Sequence, residues 1–137
     1  MEKTWPALTE SVSVICQWVQ ETARGVGFSE KEAERWVLAV EEVTSNIVHY
    51  AYGGGATGTI TVEGLPSASG LTVRISDTGR PFNPLAAPDP NLDAPLAERE
   101  IGGLGIYLAR KVMDRIDYER EDGKNVLTLT KHLSAPR

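Results

Sequence analysis

The chain has 137 residues, a length that favours one globular domain and needs no disulfide bond or metal ion to stabilise its core. Its formal net charge of -5 argues against binding to a nucleic-acid backbone, and its one cysteine, Cys16, cannot form an internal disulfide. The sequence has no apolar run of the roughly 18 residues that cross a bilayer, and it starts without the apolar core of a signal peptide, so we expect a cytoplasmic protein.

Two helices are predicted in the first fifty residues. Apolar residues recur at steps of three and four from about Thr9 to Arg24, which predicts the first helix. The second helix begins at Ser29, because Ser29 and Glu32 have the spacing of a capping box. Its apolar stripe continues to Ala51, and three consecutive glycines then end it.

Four strands, a long loop and a third helix follow. Alternating apolar and polar residues predict strands over residues 59–65, 71–76, 115–120 and 126–133. Five prolines between residues 80 and 101 prevent regular structure, so we predict a lid over 81–101, followed by a helix from Leu104 to Asp114. Asp122-Gly123 is a strong hairpin signal between the last two strands. The element order predicts one α+β domain over 1–137, a two-layer sandwich with a mostly antiparallel sheet.

A polar stripe runs along the second helix. Glu42, Asn46 and His49 lie four and three residues apart, so they share one face opposite the apolar stripe. Leu38 lies on the same side and indicates partial cover. From these residues alone, the favoured interpretation is a solvated surface, because most polar helix faces are exposed to water.

Two glycine-containing segments have both a structural and a functional interpretation. Asp77-Thr78-Gly79 follows a predicted strand, where such a sequence commonly forms only a tight turn. Gly102-Gly103-Leu104-Gly105 precedes a predicted helix. Glycines there either form only a turn or let phosphate groups approach free amides at the positive end of the helix dipole. The sequence contains no Gly-x4-Gly-Lys-Ser/Thr motif, which excludes P-loop chemistry.

Taken together and in this order, three segments resemble the N, G1 and G2 boxes of the GHKL ATPases. They are Glu42-Val43-Thr44-Ser45-Asn46, Asp77-Thr78-Gly79-Arg80-Pro81-Phe82 and Gly102-Gly103-Leu104-Gly105. The resemblance is closest to the serine/threonine kinases that act as anti-sigma factors, and it extends from about Ser11 to Leu133. It implies the Bergerat ATP-binding fold with helices on one face of the sheet. It also implies ATP and Mg²⁺ as cofactors and two protein partners, a sigma factor or similar regulator and an anti-sigma factor antagonist.

The resemblance also implies roles for individual residues. Glu42 would be the catalytic base, Asn46 would hold Mg²⁺ and the nucleotide, and Asp77 would accept a hydrogen bond from the adenine amino group. It assigns the rest of the nucleotide pocket to Gly79, Gly102, Gly103, Leu104 and Gly105. This chemistry is consistent, because Mg²⁺ takes few protein oxygens together with phosphate oxygens, and phosphoryl transfer depends mainly on positioning and charge.

The leading hypothesis is an ATP-dependent serine/threonine protein kinase that phosphorylates a small antagonist protein in partner switching. Tyr50 stands where the anti-sigma kinases usually have histidine, and we assign no catalytic role to the neighbouring His49. This departure leaves open a regulatory module that binds ATP or ADP without turnover. The catalytic domain of a histidine kinase and a structural protein without nucleotide are weaker alternatives. Relatives are often dimers, but the sequence does not predict an interface.

Overall fold

In the part of the chain that the structure describes, five antiparallel strands and three α-helices form the fold. The computed structural model describes residues 1–52, 58–86 and 103–134. The strands are β1 (Glu2–Pro6), β2 (Thr59–Ser67), β3 (Gly70–Asp77), β4 (Arg115–Glu121) and β5 (Lys124–His132). The helices are α1 (Thr9–Val26), α2 (Glu30–Asn46) and α3 (Gly103–Val112). The strand order is β1-β2-β3-β5-β4 with every neighbouring pair antiparallel, so the predicted α+β fold is confirmed.

The core lies between the helices and one face of the sheet. Side chains on a strand alternate between the two faces, so the apolar residues of β3 share the face that packs against the helices, and Leu127 and Leu129 of β5 lie on that same face. The fully buried side chains include Ile15, Val19, Trp36, Val40, Val73, Ile75 and Leu129. Helix α2 packs against both α1 and α3, so it occupies the middle of the helical layer. This arrangement removes the apolar stripe of each helix from water.

The local signals for helix ends and hairpins are confirmed. Ser29 Oγ accepts a hydrogen bond from the Glu32 N–H at 3.2 Å, as the capping box requires. Gly27, at φ 118°, ends α1 in the left-handed region that favours glycine. Asp122 and Gly123 have φ values of 51° and 75° and form the turn between β4 and β5.

Two elements were not predicted from the sequence. Strand β1 pairs with β2 at the edge of the sheet and places Trp5 opposite Ile60, where Trp5 is buried. A π-helical turn, Ile47–Ala51, follows α2, and the Tyr52 N–H bonds to the carbonyl oxygen of Ile47 at 3.2 Å. Such turns often lie at functional sites because they reorient the side chains that follow.

Two sequence predictions fall partly or wholly outside the described residues. The glycines 53–55 that were predicted to end the second helix are not described. Of the predicted lid over 81–101, the structure describes the start, which contains a 3-10 turn at Pro84–Ala86.

Candidate functional site

The ends of α2, β3 and α3 bring the three predicted boxes together. The Glu42 side chain lies against Gly105 in α3, so closely that a Cβ atom on Gly105 would overlap its carboxylate. A Cβ on Gly79 would lie 2.6 Å from the carbonyl oxygen of Ala51, and the Arg80 N–H bonds to that same oxygen at 3.1 Å. Close approach to a backbone oxygen requires glycine at Gly79, whereas a Cβ at Gly105 would displace the end of a flexible side chain. The two contacts join the end of β3 to the π-helical turn after α2, and α3 to α2.

Asp77 is a buried carboxylate with one free oxygen. Its side chain is at the end of β3, and the residue is 3% exposed. Oδ1 accepts hydrogen bonds from the Gly79 N–H and from Nδ2 of Asn125, both at 2.9 Å. Oδ2 is buried and has no hydrogen-bond partner among the described residues. A buried acceptor left unpaired is costly, so Oδ2 is suited to a hydrogen-bond donor on a ligand.

The surroundings of Asp77 act on its ionisation in opposite directions. Burial raises the pKa of Asp77, whereas the hydrogen bonds from Asn125 and Gly79 and the positive charge of Arg120 lower it. Burial is the largest of these effects, and the pKa stays above its usual value. Arg120 also donates to the carbonyl oxygen of Gly79 at 2.9 Å, which holds the turn that follows Asp77.

The interpretation of the Glu42–His49 stripe as a solvated surface is wrong for its central residue. Asn46 is only 6% exposed, and Glu42 and Leu38 are half-buried, because α3 covers this side of α2. Within the described residues, no hydrogen bond to the Asn46 side chain is formed. His49 is exposed and lines the groove between α1 and α2, away from Asp77. The partial cover that Leu38 indicated is confirmed.

Glu42 combines partial burial with a neighbouring negative charge. Burial raises the pKa of Glu42, and the adjacent Glu41 carboxylate raises it further. A raised pKa makes a carboxylate a stronger proton acceptor, which is a property of a general base. The carboxylate lies at Gly105, in the first turn of α3, where free amides favour anions.

The π-helical turn holds the segment after Asp77 through two tyrosines. The Tyr50 ring stacks on Phe82 with 5.3 Å between centroids, and the Tyr50 carbonyl oxygen accepts from Nε of Arg80 at 2.6 Å. The Tyr52 hydroxyl accepts from the Thr78 N–H at 2.8 Å and bonds to the carbonyl oxygen of Thr59 at 2.9 Å. Tyr50, which departs from the family's histidine, therefore packs at the start of the predicted lid.

Asn125 is a site residue that sequence reasoning missed. Thr128 and Thr130, the two threonines that alternate on β5, pair with Arg74 and Thr72 and do not lie beside Asp77. Asn125 and Leu127 lie on the helix-covered face of β5, so Thr128 and Thr130 lie on the opposite face. The pairing of Asn125 with Asp77 across β3 and β5 depends on the register, which no local signal predicts.

The remaining predicted residues are only partly described. Gly103 is the first residue of α3, whereas Gly102 lies outside the described residues and nothing is described of the Leu104 side chain. Within residues 1–52, 58–86 and 103–134, there is no group of three or more His, Cys, Asp or Glu side chains placed to bind a metal ion. A site for Mg²⁺ needs no such group when phosphate oxygens complete it.

The sequence matches the family described as Histidine kinase-like ATPase domain over residues 5–131. The chain belongs to this family. Three relatives of this chain extend the comparison. The chain is 32% identical to the serine/threonine-protein kinase BtrW of Bordetella bronchiseptica, over 87% of this chain and 83% of the relative. It is 33% identical to the serine-protein kinase RsbW of Listeria monocytogenes, over 94% of this chain and 84% of the relative. It is 29% identical to the serine-protein kinase RsbW of Halalkalibacterium halodurans, over 97% of this chain and 83% of the relative.

The histidine kinase-like ATPase assignment confirms the resemblance predicted from the three boxes. The match begins at β1 and ends in β5, so it spans the sheet and all three helices. It therefore places Glu42, Asp77 and Gly105 in the same ATPase domain. In the described part of the chain, no helix is long and apolar enough to cross a membrane.

Proposed function

We propose that this protein is an ATP-dependent serine/threonine protein kinase that acts as an anti-sigma factor in partner switching. It phosphorylates a small antagonist protein in one state and binds a sigma factor or similar regulator in the other. The observation that carries the proposal is the contact between Glu42 and the first turn of α3. This contact supports the proposal because it holds a half-buried carboxylate beside the first turn of α3, whose free amides would bind the phosphate groups of a nucleotide. The names of three relatives as protein kinases support it.

Adenine binding is assigned to Asp77. Its unpaired Oδ2 accepts the exocyclic amino group of adenine, whereas guanine presents a carbonyl oxygen at the corresponding position. Gly103 and Gly105 in the first turn of α3 would hold the triphosphate, and Gly79 would allow the close approach beside Asp77. Gly102 and Leu104 belong to the same predicted phosphate-binding segment.

Asn46 is the residue we assign to Mg²⁺. Its buried amide forms no hydrogen bond within the described residues, so its oxygen is available to a metal ion. Asn46 is one helical turn from Glu42, and this donor set of one amide and one nearby carboxylate fits Mg²⁺. When bound, Mg²⁺ neutralises negative charge on the phosphate oxygens.

Glu42 is the residue we assign to proton transfer. Its carboxylate would accept the proton of the substrate hydroxyl as the hydroxyl oxygen bonds to the γ-phosphorus of ATP, the bond from that phosphorus to the bridging oxygen breaks, and ADP leaves. The raised pKa of Glu42 supports this role, because a base whose pKa is nearer the working pH accepts protons more readily. Positioning of the nucleotide and the hydroxyl by α2 and α3 supplies the remaining contribution to catalysis, since phosphoryl transfer requires little covalent chemistry from the protein.

The experiment is transfer of labelled γ-phosphate from ATP to the cognate antagonist. Glu42→Gln is expected to lose transfer while keeping ADP binding, and Glu34→Gln is the matched control because Glu34 is an exposed glutamate of the same helix. Equal transfer by wild type and Glu42→Gln would remove Glu42 from the mechanism. A bound but never phosphorylated antagonist would favour the second candidate, a nucleotide-binding module without turnover. Tyr50 at the family's histidine position is the observation that favours this candidate.

Localisation and assembly belong to the same proposal. A partner-switching kinase meets its regulator and antagonist in the cytoplasm, which agrees with the expectation from the sequence. A homodimer stays a prediction that sedimentation of the purified protein tests.

A further inference from the structure

Asn125, the second residue of β5, forms four hydrogen bonds beside Asp77 and is 1% exposed. Its amide nitrogen donates to Oδ1 of Asp77 at 2.9 Å and to the carbonyl oxygen of Arg80 at 2.8 Å. Its amide oxygen accepts from the Phe82 N–H at 3.1 Å and from the Tyr118 hydroxyl at 2.6 Å. Because both amide protons and the amide oxygen are bonded, the side chain has one orientation.

This orientation determines which oxygen of Asp77 is available. Oδ1 is bonded by two fixed donors, the Asn125 amide and the Gly79 N–H, whereas Oδ2 has no partner among the described residues. A carboxylate held in this way cannot exchange its two oxygens without breaking both bonds. The free acceptor therefore has a fixed position before any ligand arrives, which is how a site becomes selective.

We propose that Asn125 is a positioning residue for purine selection, which holds the Asp77 carboxylate so that Oδ2 accepts the adenine amino group and disfavours the guanine carbonyl. The inference rests on the proposed function, because it requires a purine nucleotide beside Asp77. Through its bonds to Arg80 and Phe82, the same amide also fixes the start of the predicted lid relative to this acceptor.

The chemistry of the amide explains why aspartate cannot replace it. Asn125→Asp would place two carboxylate oxygens 2.9 Å apart, and the new side chain donates a hydrogen bond to Asp77 only when it is protonated. The titratable groups bonded to Asn125 are Asp77 and Tyr118, and the cation acting on Asp77 is Arg120. The variant should therefore recover function as the pH falls.

The test measures ADP and GDP affinities by calorimetry at mildly acidic and mildly alkaline pH. Asn125→Asp is expected to weaken ADP binding about tenfold or more at alkaline pH and to reduce the preference for ADP over GDP. The loss should shrink at acidic pH, whereas wild-type ADP binding should not strengthen there, because Asp77 itself becomes protonated. Tyr118→Phe is the matched control. It removes one bond to the same amide without touching Asp77, so its preference for ADP should equal that of the wild type.

Each result supports or overturns a distinct statement. A folded Asn125→Asp protein with wild-type preference for ADP at both pH values overturns the role of Asn125 and leaves the proposed function intact. Wild-type protein that binds ADP and GDP equally overturns both the role of Asn125 and the proposed function. If Asn125→Asp does not fold, Asn125→Ala replaces it, since it removes the bonds without adding charge. Asn125→Ala should lose the preference at both pH values, and full retention of the preference overturns the inference.

Discussion

The Gly105→Ala variant tests the catalytic position of Glu42 without lowering the stability of the domain. The Cβ of alanine there would overlap the Glu42 carboxylate, which is the mobile end of a flexible side chain and is displaced easily. Alanine favours a helix over glycine by about 1 kcal/mol, so Gly105→Ala should keep or raise the free energy of unfolding. Gly25→Ala in α1 is the matched control, because nothing lies within 4 Å of its Cβ position.

The two glycine variants should differ in phosphate transfer. A positioned general base contributes about 10²–10⁴-fold to the rate, so displacement of Glu42 should lower kcat about 100-fold or more in Gly105→Ala. Gly25→Ala should transfer phosphate at the wild-type rate. The assay measures kcat at saturating ATP, with ADP affinity measured separately to detect any exclusion of phosphate by the methyl group. Wild-type kcat in a stably folded Gly105→Ala protein would refute the catalytic position of Glu42.

The remaining predictions concern Glu42, Asn46 and Asp77. The pH–rate profile of transfer should fall on the acidic side as Glu42 becomes protonated, at a pH above that of an ordinary glutamate; a profile without this acidic limb contradicts the assignment. Asn46→Ala should weaken Mg²⁺-dependent ATP binding or abolish transfer without unfolding the domain, and unchanged transfer removes Asn46 from the mechanism. Because burial raises the pKa of Asp77, the folded protein binds more protons than the unfolded chain between the two pKa values, and this contribution to stability falls as pH rises through that window. Asp77→Asn should therefore raise the Tm above that of wild type by more at neutral pH than at acidic pH, and a pH-independent difference in Tm would contradict the raised pKa of Asp77. The same variant should exclude GTP less strongly than wild type does.

Local signals were sufficient to predict most of the fold. Ser29 with Glu32, and Asp122 with Gly123, satisfy or shape the backbone within a few residues of chain, so the sequence alone determines what they do. Strand β1 was missed because it forms by pairing with β2, some sixty residues away, and no local signal predicts that pairing. The π-helical turn was missed because its residues continue the apolar period of α2.

The candidate site was predictable only through the order of its motifs. Spacing placed Glu42 and Asn46 on one helix face but could not show that α3 covers it, so a solvated surface was favoured. The family resemblance reversed that preference, and the burial of Asn46 agrees with the reversal. Asn125 carries no motif, and its four bonds reach three different segments that only the folded chain brings together.

The nucleotide site is tested most directly by calorimetric titration of the purified protein with ATP, with and without Mg²⁺, and with GTP as the control. We predict saturable binding that prefers ATP to GTP and strengthens with Mg²⁺, because no described residue bonds to Oδ2 of Asp77 or to the side-chain amide of Asn46. Equal binding of ATP and GTP, or no binding of either with the fold intact, would contradict the assignment of this site.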